Sequence, residues 1–134
     1  MIGVVDTSAL IRLFVPDGTL PKDFEEFLRG VERSLNIAIA PELLLAEAAN
    51  VINNKQLSEE LSENESDQIL SDVLSLPIRL FPHRPILPRA FELARVHKLT
   101  VYDTLYLALA EEHGAVIFTG DRKLLSIAER LKLQ

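Results

Sequence analysis

The sequence predicts an α/β domain built on a parallel sheet with helices over both faces. Three observations carry this expectation. Short, largely apolar runs occur at residues 2–5, 35–40, 78–81 and 116–119, helical patterns separate them, and proline, glycine or capping residues mark the joints. Strands without a polar face are buried on both sides, as in parallel sheets whose crossovers are helices.

Residues 2–5 open the chain as a buried strand. A short helix over 9–14 follows and is broken by Pro16, Asp17 and Gly18. A helix resumes over 21–29 with proline in its first turn. Residues 35–40 form the second strand, and Pro41 opens a helix to about Asn53, where Asn53 and Asn54 can stop it. Residues 58–74 read as one long helix with acids crowded early, as the helix dipole favours. Ser62 with Glu65 is a possible capping box inside it, which would divide it in two. Pro77 ends that stretch, 78–81 is the third strand, and Pro82, Pro85 and Pro88 stiffen the next connection. Residues 91–97 are helical. Thr100 caps a helix over 101–113 that Gly114 closes. Residues 116–119 form the fourth strand, 122–131 the last helix, and 131–133 add a few extended residues.

A chain of 134 residues has the usual size of one domain, and with 48% apolar residues it can build a core without staples. Cysteine is absent, which removes disulfides, thiolate metal sites and cysteine nucleophiles and fits a reducing cytosol. The start, MIGVVDTSAL, lacks a basic region followed by a long apolar run, so no signal peptide is expected. Glu47, Asp103, Glu111 and Glu112 interrupt the most apolar stretches, so no membrane span is expected either. The expectation is a soluble, cytoplasmic protein. The net charge of −6 speaks against nucleic acid, because sequence-independent affinity comes from Lys and Arg on phosphates. That objection weakens if several acids share a metal site. Two divalent cations, together +4, would bring the formal −6 to −2 and reverse the local field.

Four acids stand out. Asp6 follows the first strand and Asp121 the fourth, and either can simply cap the helix after it. Asp103 lies three residues after Thr100, the spacing of a capping box with Asp in place of Glu. Glu47 has no capping alternative. It sits mid-helix with Leu43, Leu44, Asn50 and Val51 on its face, so it points partly toward the core. A buried carboxylate needs a partner there: an arginine, a structural hydrogen bond or a metal. Taken together, the acids belong to the side of the sheet where parallel α/β domains bind ligands. Four convergent carboxylates are tolerable only with cations, and an all-oxygen set suits Mg²⁺ or Mn²⁺ rather than Zn²⁺. His83 lies in the proline-rich connection, while His97 and His113 end helices, where they suit the helix dipole.

VVDTSAL at the start, PELLLAEAANVI in the middle and VYDTLYLALAEEHGAVIFTGDRKLL near the end resemble the PIN-domain family, most of all the VapC-type toxin ribonucleases of toxin–antitoxin systems. The resemblance runs from Asp6 to the final helix and is weaker between Leu57 and Arg89. It implies a PIN-like three-layer α/β/α sandwich over residues 1–134, with a central parallel sheet of four to five strands. It also implies a metal-dependent endoribonuclease, the toxin of a type II toxin–antitoxin pair, that forms homodimers and is inhibited by a small antitoxin protein. Motif by motif, Asp6, Glu47, Asp103 and Asp121 match the catalytic, metal-binding acids. Thr7, Ser8 and Thr119 match hydroxyls that support the metal waters, and Asn50 matches the polar position one turn beyond the glutamate.

The chemistry such ligands allow is hydrolysis of an RNA phosphodiester by a metal-activated water, with one or two Mg²⁺ or Mn²⁺ ions per chain, a second ion lying roughly 4 Å from the first. Asp6 and Asp103 are expected at the metal core. Glu47 binds metal or orients the attacking water, and Asp121 acts through water. Arg12, Arg122 and Lys123 are candidate phosphate contacts, with solvated surface as the plain alternative. An aspartyl phosphotransferase would want an acid where this chain has Ser8. A receiver domain would want an acidic pair at Val5-Asp6 and a late lysine at Thr119-Gly120. A PIN nuclease of RNA processing and a catalytically silent PIN-like RNA-binding module remain as alternatives.

Overall fold

The computed structural model describes residues 1–133. In chain order the elements are β1 (Ile2–Val5), α1 (Thr7–Ile11), α2 (Phe24–Glu32), β2 (Ile37–Pro41), α3 (Leu43–Leu57), α4 (Glu63–Ser75), β3 (Ile78–Phe81), α5 (Leu87–His97), α6 (Val101–His113), β4 (Val116–Phe118) and α7 (Arg122–Arg130). The four strands form one parallel sheet in the order β3-β2-β1-β4. The α/β class and the parallel sheet are as expected.

Strand register divides the core into two halves, because successive side chains point to opposite faces. Gly3 pairs with Ala38 and Val116, and Val5 pairs with Phe118, so these side chains share one face. Helix α2 covers that face: the Phe24 and Phe27 rings stand 5.3 and 4.6 Å from Phe118. Glycine is required at position 3 because a Cβ there would run into the Phe27 and Phe118 rings. The opposite face carries Val4, Ile39 and Ile117 and meets α6, which packs on β1, β2 and β4 with α5 beside it. Residues 104–110 of α6 are all buried, as expected of a helix apolar on every side. The Thr104 hydroxyl, buried among them, donates to the Ala90 carbonyl of α5 at 2.7 Å.

Several boundaries differ from the sequence expectations. The first helix starts at Thr7 rather than residue 9, because Asp6 caps it, and ends at Ile11 rather than residue 14. The second helix begins at Phe24 and runs on to Glu32. Pro41 does not open a helix: it is the last residue of β2, opposite Phe81. Helix α3 passes through Asn53 and Asn54 to Leu57, with Ala48 and Ile52 buried beneath it. The stretch 58–74 is not one helix. Ser62 and Glu65 make a complete capping box that starts α4 at Glu63. Helix α5 begins at Leu87, with Pro88 accommodated in its first turn, where the missing N–H costs nothing. Residues 131–133 are not an extended run: Leu131 and Lys132 make a turn after α7, with Lys132 at φ +60°, and the Leu133 carbonyl then accepts the Ile117 N–H at 2.7 Å. Among the described residues, no helix is long and apolar enough to cross a membrane.

Candidate active site

The strand order reverses between β1 and β4. The chain steps outward from β1 to β2 to β3, then returns to the other side of β1. Beyond the carboxyl ends of strands, such a switch point leaves a crevice. Here it is a cleft of about 480 Å³ lined by Asp6, Glu47, Asp103 and Asp121, together with Thr7, Ser8, Arg12, Asp17, Asn50 and Tyr106. All four acids singled out from the sequence therefore line one cleft.

Each acid is held in its own way. Asp6 is only 5% exposed. Its Oδ1 accepts the Ala9 N–H at 2.9 Å and the Ser8 hydroxyl at 2.7 Å, and its Oδ2 accepts the Thr119 hydroxyl. Capping and cleft lining are thus one arrangement, since four lone pairs on a carboxylate exceed what a cap consumes. Ser8 and Thr119 in turn accept the N–H groups of Gly120 and Asp121 at 2.8 and 3.0 Å, which ties the loop after β4 to Asp6. Burial raises the Asp6 pKa from the usual 3.8 to about 6; the hydrogen bonds from Thr119, Ala9 and Ser8 oppose the shift, and the nearby charge of Asp121 adds to it.

Glu47 is half-buried, and its partner is neither an arginine nor a lysine. Its Oε1 accepts the Thr7 hydroxyl at 2.9 Å and the Tyr106 hydroxyl at 2.6 Å. Tyr106 was not singled out from the sequence. It lies three residues after Asp103 on α6, the spacing that places two side chains on one helix face, and that spacing was the available signal. Its phenol pKa is pushed up by burial and then by the hydrogen bond to Glu47, so it stays a donor.

Asp103 lies in the first turn of α6, half-buried, and its backbone N–H donates to the Thr100 hydroxyl at 3.2 Å. Burial raises its pKa above the usual 3.8; Thr100 opposes this, and the charges of Asp121 and Glu47 reinforce it. Asp121 is exposed. Its Oδ1 caps α7 by accepting the N–H groups of Lys123 and Leu124 at 2.9 and 3.0 Å.

The remaining candidates divide. Thr7 holds Glu47, whereas Ser8 and Thr119 hold Asp6. Asn50 is exposed on the cleft wall and Arg12 lies at its rim. Arg122 and Lys123 do not line the cleft; the Lys123 ammonium donates to the Lys98 carbonyl at 3.2 Å. None of the histidines lines it either. The His83 Nε2 accepts the Leu43 N–H at 3.0 Å at the start of α3, and the His113 ring packs against Phe81.

The donor set fits a hard divalent cation in kind, because every titratable oxygen in the cleft is a carboxylate or phenol and no thiol or imidazole competes. Asp6, the most buried of the acids, has only hydroxyl and amide donors around it. Among the described residues, however, no three acids or imidazoles stand close enough to share an ion as the side chains lie. An ion shared by three of them therefore requires side-chain movement.

Fold and cleft together define a parallel-sheet α/β domain with a carboxylate site at its switch point. The chain belongs to the PIN-domain family, whose model matches residues 3–130. It is 32% identical over 123 residues to Ribonuclease VapC3 of Pyrobaculum aerophilum, covering 90% of each chain. It is also 32% identical over 122 residues to Ribonuclease VapC1 of Mycobacterium tuberculosis, covering 90% of this chain and 86% of the relative. The crystal structure of PAE2754 from Pyrobaculum aerophilum superposes with a TM-score of 0.70 at 26% identity, over 94% of this chain and 86% of that one. Mycobacterium tuberculosis VapC20, described as a sarcin-ricin loop cleaving toxin, superposes with a TM-score of 0.65 over 93% and 94%. At 15% identity that last likeness concerns the fold alone.

Proposed function

We propose that this protein is a Mg²⁺- or Mn²⁺-dependent endoribonuclease of the VapC type that hydrolyses RNA phosphodiester bonds with water. The observation that carries the reading is the convergence of Asp6, Glu47, Asp103 and Asp121 on one cleft at the switch point of the sheet. The ribonucleases it is similar to over 90% of its length support the substrate class.

Asp6 and Asp103 would hold the ion, with Glu47 and Asp121 completing the oxygen set. When bound, one or two such ions supply positive charge against the phosphate and make water more acidic at neutral pH. Glu47 spends Oε1 on Thr7 and Tyr106 and keeps Oε2 free of protein partners among the described residues, so Oε2 can accept a proton from an attacking water. Asp121 divides its oxygens in the same way: Oδ1 caps α7, and Oδ2 has no protein partner among the described residues. Thr7, Tyr106, Ser8 and Thr119 orient these carboxylates, as hydroxyl partners of ligands do.

The toxin role, an antitoxin partner and a homodimer belong to the same proposal. The VapC names of the relatives support the first two. Exposed Leu87 and Phe91, one turn apart on α5, support a self-associating surface. An antitoxin arginine entering the acid cleft would take the place of a cation.

Cleavage of single-stranded RNA by the purified protein tests the reading. Activity should need Mg²⁺ or Mn²⁺ and vanish in EDTA, and undiminished cleavage by metal-stripped protein would sink the mechanism. The alternative reading is a catalytically silent RNA-binding module. It predicts RNA binding without cleavage in Mn²⁺.

A further inference from the structure

We infer that Arg12 is a phosphate-binding residue for the RNA strand, a second anchor beside the acids and independent of any ion. This rests on the ribonuclease reading above. Arg12 ends α1, lines the cleft and is, among the described residues, the one cation in its lining. Its guanidinium is fixed from three sides. Nη1 donates to the Thr19 carbonyl at 2.8 Å, and Gly18 and Gly120 both approach so closely that a methyl group at either would meet the guanidinium. Gly18 lies at φ +145°, a conformation that favours glycine in any case.

An arginine beside five carboxylates would ordinarily pair with one of them. Arg12 forms no salt bridge among the described residues: Asp17, its nearest neighbour in sequence, is taken by the Lys55 ammonium at 2.7 Å, which also binds Glu60 at 3.1 Å. Only one guanidinium N–H is used, so the Nε and Nη2 edge is left with donors and no protein acceptor. A planar fork held rigidly and left unpaired matches two oxygens of a phosphate, and its rigidity limits the entropy lost on binding. An acid-lined cleft repels RNA wherever no cation stands. Arg12 supplies that attraction at the rim, for a phosphate flanking the one that is cleaved.

The test uses full-length protein, a short fluorescein-labelled single-stranded RNA, and Arg12→Met, which keeps the stem and removes the charge. In Mg²⁺ the KM of Arg12→Met should rise about tenfold with kcat within about twofold, as loss of a charge-assisted contact away from the reacting atoms implies. With Ca²⁺ replacing Mg²⁺, the slope of log binding constant against log salt should flatten by about 0.7, the value for one phosphate on a single strand. A residue that only pins the 16–20 loop would lower the melting temperature and leave the salt slope alone. Arg12→Lys keeps the charge without the fork, so it should retain the slope while KM rises about threefold, and it carries the test if Arg12→Met does not fold. A wild-type KM and slope in both variants, with wild-type cleavage intact, would overturn the role of Arg12 alone. A wild-type protein that neither binds nor cleaves RNA would overturn it together with the ribonuclease reading.

Discussion

Helices α4 and α6 open on the same spacing, a hydroxyl residue and then an acid three positions later, yet the two acids do different things. At α4 the box is closed. The Ser62 hydroxyl accepts the Glu65 N–H at 3.1 Å, and the Glu65 carboxylate accepts the Ser62 N–H at 2.9 Å on an exposed surface. At α6 only half of it forms. The Thr100 hydroxyl accepts the Asp103 N–H, while the Asp103 carboxylate does not return to the Thr100 backbone and lines the cleft instead. Asp is one methylene shorter than Glu, so it reaches back less easily. The pKa values move oppositely as a result: Glu65 is lowered by its bond from the Ser62 backbone, and Asp103 is raised by burial. The lesson is that an acid at the third helical position can be consumed by its cap, as Glu65 is, or left to line a cleft, as Asp103 is.

The largest expected effect breaks that comparison at its functional end. Asp103→Asn keeps the backbone bond to Thr100 and should lower RNA cleavage by more than about 100-fold, beyond what loss of a merely supporting partner costs. Glu65→Gln should cleave at the wild-type rate. Steady-state assays on both variants, with circular dichroism to verify the fold, check this pair, and equal activities would erase the distinction.

An intermediate effect is expected at Tyr106, which does for Glu47 what no cap does for Asp103. Tyr106→Phe leaves Glu47 with Thr7 as its one hydroxyl donor. Activity should fall about 10- to 100-fold, as for other residues that orient a ligand. Stability should drop by about 1 kcal/mol, the usual net worth of a hydrogen bond. The variant's rate and its denaturant midpoint decide it, and a wild-type rate would remove Tyr106 from the site.

The smallest effect is in pH-dependent melting of the metal-free protein. Glu65 has a lowered folded pKa, so its contribution is present above the usual 4.5 and is lost as pH falls through the folded value. Asp103 has a raised one, so its ionised form costs stability at neutral pH, and that cost disappears as pH falls through the raised value to below 3.8. In EDTA at pH 7, Glu65→Gln should therefore melt below wild type and Asp103→Asn above it, with both differences shrinking toward pH 3. Shifts of the same sign would contradict the contrast.

Much of this molecule was legible from its sequence because the signals are local. Apolar runs bounded by turn residues located all four strands, and that alone put Asp6 and Asp121 just past strand ends on one side of the sheet. The apolar neighbours of Glu47 revealed a half-buried acid without naming its partners, because Thr7 and Tyr106 lie 40 and 59 residues away. Helix ends were misread where packing overrode a stop signal: Ile52, buried under α3, carries that helix through Asn53 and Asn54. Pro41 was misread because its place at the end of β2 depends on pairing with β3. Arg12 could be suspected from its position, but its freedom could not, since Lys55 claims Asp17 from 38 residues away and Gly120 reaches it from the far end of the chain. Residue types and their periodicity thus determined the class, the strands and the identity of the acids. Which carboxylate oxygens are spent on the fold and which are left for the cleft was decided by tertiary structure, because a side chain's remaining lone pairs depend on donors brought to it across the sheet.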